Sequence, residues 1–229
     1  MKIKNKLWII GITLLGTLGL FQENIKANEV ANSPFPNVSV EDIQVSSGMG
    51  WRSLDDIQYH QGWDLPQAKG TPVLTIGAGK VVYAGFISGH GNIVIVYDEA
   101  SDTATYYQHL SEIKVSKDTE VKVGQEVGTV GGTGESPDYD SFAPHLHIGM
   151  YKNAGEYVNN DYPLPPLPKD SKEAATTDYL DPAQLFGCDS HSSEWVNQLT
   201  NMYGTDTNRP DTIKDGTTTV TVGDAQNKS

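Results

Sequence analysis

Between residues 47 and 152, short β-branched runs alternate with glycine, and this alternation constrains the fold more than any other feature. The runs are 71–76, 80–84, 92–97, 103–107 and 126–130. Gly77-Ala-Gly79, Ser88-Gly-His-Gly-Asn92, Lys122-Val-Gly124 and Gly131-Gly-Thr-Gly134 punctuate them. Closely spaced strands with turn residues between them predict an all-β, mainly antiparallel domain. No stretch of this region repeats its apolar residues at a helical period.

The flanks read differently. Residues 1–6 carry three lysines, and an uncharged apolar run covers 7–21, before small Ala27. That order is the pattern of a signal peptide cleaved after residue 27. The competing reading is an uncleaved anchor, but the run is shorter than the roughly 20 residues a spanning helix needs. No cysteine stands near the cleavage point, which excludes a lipoprotein anchor. Residues 28–46 read as a polar leader. Residues 153–178 contain Tyr162-Pro-Leu-Pro-Pro-Leu-Pro168 and read as an extended, solvated insertion. Residues 188–229 form a C-terminal extension. Within it, Trp195, Val196, Leu199, Met202 and Tyr203 are spaced for a short amphipathic helix, and the Thr-rich remainder reads as a disordered tail.

Charge and cysteine content narrow the function. The net charge is −13, with Arg52 and Arg209 the two arginines, which argues against nucleic-acid binding, since phosphates need cations. Cleavage after residue 27 would remove four lysines and one glutamate, so the remaining chain would be more acidic still. A single cysteine, Cys188, excludes an intrachain disulfide framework and a cysteine-rich zinc knuckle. Cys188 and His191 lie in an acidic, loop-like stretch that lacks the electropositive pocket a reactive thiolate needs. Any metal must therefore be held by histidine and carboxylate.

Three short motifs offer such groups. In His60-Gln-Gly-Trp-Asp64, a turn at Gly62 lets histidine and aspartate converge. In His145-Leu-His147, strand geometry puts both imidazoles on one face and Leu146 on the other. Tyr106-Tyr-Gln-His-Leu110 ends a strand. His60, Asp64 and one histidine of the pair supply the three protein ligands of a catalytic zinc. Two histidines then remain for proton transfer near neutral pH. His90, in a glycine-rich turn, reads as exposed. No His-Glu-x-x-His occurs, so the helical zinc-protease route is absent.

Taken in order, His60-x-Gly-x-Asp64, Gly70-Thr-Pro-Val73, Gly79-Lys-Val-Val-Tyr-Ala-Gly85, Gly91-Asn92, Tyr107-x-His-Leu110, Val123-Gly-Gln-Glu-Val-Gly128 and His145-Leu-His147 resemble the lysostaphin/LytM-type zinc metalloendopeptidases. Tyr179-Leu-Asp-Pro182 resembles the segment that often closes that domain. The resemblance implies a two-sheet duplicated hybrid fold with an open groove, over residues 47–187. It implies one Zn²⁺ per chain, on His60, Asp64 and His147, with His109 and His145 as the catalytic pair and Tyr107 as a stabiliser of the intermediate. It further implies hydrolysis of peptidoglycan stem peptides or cross-bridges, by a secreted monomer at a cell wall, with a Gram-positive exporter favoured. No nucleic-acid partner and no stable membrane anchor after cleavage are expected. The alternative is a non-catalytic wall-binding or hydrolase-activating module on the same fold. Three departures stand out. Ile148-Gly-Met150 replaces the family's aromatic-Glu, the link at residues 135–144 is longer than usual and is expected to shape bond specificity, and the insertion at 153–178 is atypical.

Overall fold

The computed structural model describes residues 33–53, 57–186, 212–214 and 219–221. The signal peptide expected over 1–27 and the helix expected over 192–203 both lie outside the described residues. Among the described residues, no helix is long and apolar enough to cross a membrane.

The β-branched runs become strands. In chain order these are β1 (Gly50–Ser53), β2 (Ile57–His60), β3 (Trp63–Pro66), β4 (Pro72–Leu74), β5 (Gly79–Ile87), β6 (Gly91–Asp98), β7 (Thr103–Gln108) and β8 (Glu112–Ile113). There follow β9 (Glu120–Val121), β10 (Glu126–Thr129), β11 (Gly131–Thr133), β12 (Asp140–Lys152) and β13 (Tyr179–Leu180). Among the described residues the one α-helix, α1 (Ser171–Ala174), is a single turn. In the polar C-terminal stretch, Thr212–Lys214 pairs antiparallel with Thr219–Thr221.

An eight-stranded sheet runs β11-β12-β7-β6-β5-β9, with β3 and β13 also paired to β12. A three-stranded sheet runs β4-β10-β8. Every pairing in both is antiparallel, which is the mainly antiparallel, two-sheet organisation expected.

Strand alternation sorts the side chains into two layers. Leu146 and Ile148 of β12 join Tyr107, Val94, Leu65 and Trp63 in a core that also takes Val73 and Val127 from the smaller sheet. Complete burial of each such aliphatic residue contributes about 1.5–3 kcal/mol. On the other face, Ile93, Ile95, Ala104, Tyr106 and Tyr151 form a second cluster. His145 and His147 share the parity of Tyr151 in β12, so they stand on this second face.

Two expectations need correction. Residues 33–46, read as a polar leader, send Phe35 and Ile43 into the main core, each 2% exposed, and the Pro34 carbonyl accepts from Leu74 N–H. The insertion is not solvated throughout. Val158 and Leu164 are buried in the second cluster. The Pro163 and Pro165 carbonyls accept hydrogen bonds from the Tyr151 and Tyr179 hydroxyls, both at 2.7 Å. Proline carbonyls lack no acceptor strength, so a proline-rich segment can seal an aromatic-lined sheet face whose hydroxyls need partners.

Candidate metal centre

His60 ends β2, Asp64 lies in β3, and Gly62 turns the chain between them. The β3–β12 register sets Asp64 opposite His147. His60 Nε2 lies 3.0 Å from Asp64 Oδ1 and 2.9 Å from His147 Nδ1, and His147 Nδ1 lies 2.9 Å from Asp64 Oδ1. Both histidines are buried, and Asp64 is partly so.

Proton bookkeeping shows that this cluster suits a cation. His60 Nδ1–H donates to the Gly48 carbonyl at 2.6 Å, which fixes its tautomer and leaves Nε2 a bare lone pair. Asp64 is an acceptor as well. Burial alone would raise the Asp64 carboxyl, but the hydrogen bond from His147 and the closeness of the His60 imidazole hold it well below the usual carboxylate range. Burial pushes the His147 imidazole well below its ordinary value despite the pull of Asp64. Three lone-pair atoms therefore converge with one proton between them, and His147 Nε2 has no hydrogen-bond partner. One ion satisfies all three. A tetrahedral zinc with bonds of about 2.0–2.1 Å spaces its ligands by about 3.3 Å, a few tenths of an ångström wider than this unfilled cluster.

Two further histidines border the cluster. The His109 ring centroid is 5.7 Å from that of His147 and 4.8 Å from that of His145. His145 Nε2 is 3.6 Å from Asp64 Oδ1. Each has its Nδ1–H committed to a backbone carbonyl: His109 to Thr133 and His145 to Ala143, both at 2.7 Å. In both rings the free lone pair is therefore on Nε2. Burial pushes the His109 imidazole down to about 4, with the neighbouring His145 adding to the effect and the Thr133 carbonyl opposing it. His109 also has φ of +63°, in the left-handed region that residues other than glycine adopt uncommonly. Its amide donates to the His90 carbonyl there.

Residues 58–160 match the family model described as Peptidase family M23. Residues 58–160 form a domain of peptidase family M23. The chain is 34% identical over 148 residues to the glycyl-glycine endopeptidase ALE-1 of Staphylococcus capitis, covering 64% of this chain and 36% of that protein. It is 36% identical over 112 residues to the murein hydrolase activator NlpD of Escherichia coli, covering 48% of this chain and 26% of that one. Among solved structures, it is similar to the catalytic domain of the antimicrobial peptidase lysostaphin from Staphylococcus simulans. The identity there is 27%, over 65% of this chain and 95% of that one, with a TM-score of 0.48. The chain spans about a third or less of the length of these curated relatives.

The M23 domain does not bring every expected residue to the cluster. Tyr107 is fully buried in the main core, on the face of β7 away from His147, where its hydroxyl accepts from Ile76 N–H at 3.0 Å. The neighbouring Tyr106 takes the place next to the cluster. Its ring stacks on His147 at 5.9 Å and 17°, and its hydroxyl donates to the Gln61 carbonyl at 2.5 Å. His90 is not an exposed turn residue. It hydrogen-bonds Gln108 Oε1 at 3.1 Å and the Tyr162 hydroxyl at 2.8 Å, and burial lowers its pKa. Sequence reasoning also missed Gly48, which acts through a main-chain carbonyl and so leaves no side-chain signal.

Proposed function

We propose that this chain is an exported zinc-dependent endopeptidase that hydrolyses peptide bonds in peptidoglycan stem peptides or cross-bridges. The observation that carries the reading is the convergence of His60 Nε2, Asp64 Oδ1 and His147 Nδ1, with two more imidazoles beside them. The three would hold a zinc ion, which in such a site polarises a carbonyl and lowers the pKa of water. Asp64 as the sole anionic ligand leaves a net positive site, suited to a developing oxyanion.

The remaining chemistry belongs to the protein. His109 and His145 each present Nε2 as a proton acceptor, and their Nδ1–H bonds to Thr133 and Ala143 keep the rings from turning over. One removes a proton from the attacking water and the other returns one to the leaving amine. The long β12 carries His145 and His147 together, so acid–base group and ligand move as one rigid unit.

The activator reading rests on the likeness to NlpD, and it predicts metal-independent binding without hydrolysis. Filled ligand and histidine positions favour the enzyme. The test is zinc content of the purified chain together with mass spectrometry of fragments from peptidoglycans of defined cross-bridge. One zinc per chain with new amine termini supports the proposal, and intact peptidoglycan of every type refutes it.

A further inference from the structure

Two large aromatic side chains near the cluster are 44% exposed, Phe142 and Tyr162. They come from the two segments that depart from the family pattern, the long link and the proline-rich insertion. Phe142 sets its ring edge-on to His109 at 5.0 Å and lies 6.3 Å from His145. A side chain at Gly134 would strike the Phe142 ring, so that glycine is what lets the phenyl group settle there.

Tyr162 is held by a directed chain of hydrogen bonds. Gln108 Oε1 accepts from His90 Nδ1–H, which leaves His90 Nε2 to accept the Tyr162 hydroxyl proton. The His90 ring also lies 5.9 Å from the Tyr162 ring. Gln108 is 1% exposed and immediately precedes His109, so the anchor of Tyr162 is continuous with the catalytic corner. The next residue, Pro163, is buried and pinned through its carbonyl to Tyr151. Tyr162 is therefore a presented ring on a fixed stalk rather than a loose surface side chain.

Its place on the sheet is informative. Leu164 and Val158 cover the same sheet face that carries Tyr106, Tyr151 and His147. Tyr162 follows that cover in sequence and is tied through His90 to Gln108, the residue before His109 and the register partner of His147 in β12. A flat ring so tied offers a stacking surface for amide planes, and chains of small residues expose those planes best.

We propose that Tyr162 is a specificity-determining residue that contacts substrate, forming with Phe142 an aromatic pair that grips the peptide chain beside the bond to be cut. This rests on the endopeptidase reading above. It assigns the insertion at 153–178 a role in substrate choice, through a ring that the Gln108–His90 pair holds in place.

The experiment uses the zinc-loaded full chain and soluble cross-linked muropeptides whose bridges carry either glycine or a branched residue. Tyr162→Ala, at an exposed position, is expected to keep zinc content and Tm. It should raise KM for the glycine bridge about three- to tenfold, the range of one aromatic contact, with kcat within about twofold. The preference for glycine over the branched residue should shrink. Tyr162→Phe, which keeps the ring, should recover most of the KM. Muropeptide affinity is measured separately in the His145→Ala background, where substrate is not consumed. Unchanged KM and preference in Tyr162→Ala, with the parent chain cleaving normally, overturn the inference alone. Binding without cleavage by the parent chain overturns the endopeptidase reading, and Tyr162 is then judged by the change in affinity. Absence of both binding and cleavage overturns both.

Discussion

Gly62 offers a sharp test of how the metal centre is built. A Cβ at this position would strike the Ile148 carbonyl oxygen and lie 2.7 Å from His147 Nε2. Ordinary contacts there need about 3.4 Å or more, so Gly62→Ala forces the turn and β12 apart by several tenths of an ångström to about 1 Å. Metal–ligand bonds tolerate about 0.2 Å. The displacement thus falls on the vector joining His60 and Asp64 to His147, and zinc affinity should fall at least to the hundredfold end of what orienting partners cost. Overpacking should also cost about 1–3 kcal/mol of stability. The assay is competitive chelator titration of zinc, paired with thermal unfolding of the metal-free chain. Gly77→Ala is the control, because nothing lies within 4 Å of its Cβ, and it should be silent in both measurements. Near-parental zinc affinity in Gly62→Ala would refute the argument that close approach of this turn to β12 sets the ligand geometry.

Other expectations follow from the same geometry. His147→Ala should lose zinc and hydrolysis together, read by metal analysis and muropeptide cleavage. His109→Ala and His145→Ala should keep zinc and lose about 10²- to 10⁴-fold in kcat; metal loss in either would exchange their roles with a ligand. The metal-free chain should lose stability as pH falls from about 6.5 to about 4. In that window the unfolded chain protonates the His109 imidazole and the folded one, whose value is about 4, does not. The His109 share of the loss is on the order of 3 kcal/mol, measured by urea unfolding at pH 7.5 and 4.5; His109→Ala should shrink the difference by that share, while buried His147 and His90 keep theirs. Tyr107→Phe removes the acceptor for Ile76 N–H and should cost about 1–3 kcal/mol with kcat unchanged, since Tyr107 lies in the core.

Much of this was legible from residue order. The His-Leu-His parity put His145 and His147 on one face because alternation in a strand has no other solution. The spacing of His60 and Asp64 about Gly62 foretold a turn that joins them. What failed was phase. Tyr106 and Tyr107 are adjacent, equally aromatic and equally strand-forming, and the β7–β12 register decides which one meets His147. No local signal fixes that register. The proline-rich insertion misled for a different reason. Prolines usually mark solvated chain, but here the hydroxyls of Tyr151 and Tyr179 needed buried acceptors, and that need arises only once the sheet exists. His90 was misjudged likewise, because its partners Gln108 and Tyr162 stand 18 and 72 positions away.

Eighty-seven positions separate His60 from His147. An ion gripping both would act as a staple across most of the sheet, and closure of so long a loop removes freedom from the unfolded chain rather than adding contacts to the folded one. A fragment ending anywhere before β12 would carry two arms of the three-armed claw and lack the third, so the proposed metal site is completed in one step, when the last long strand docks against β3.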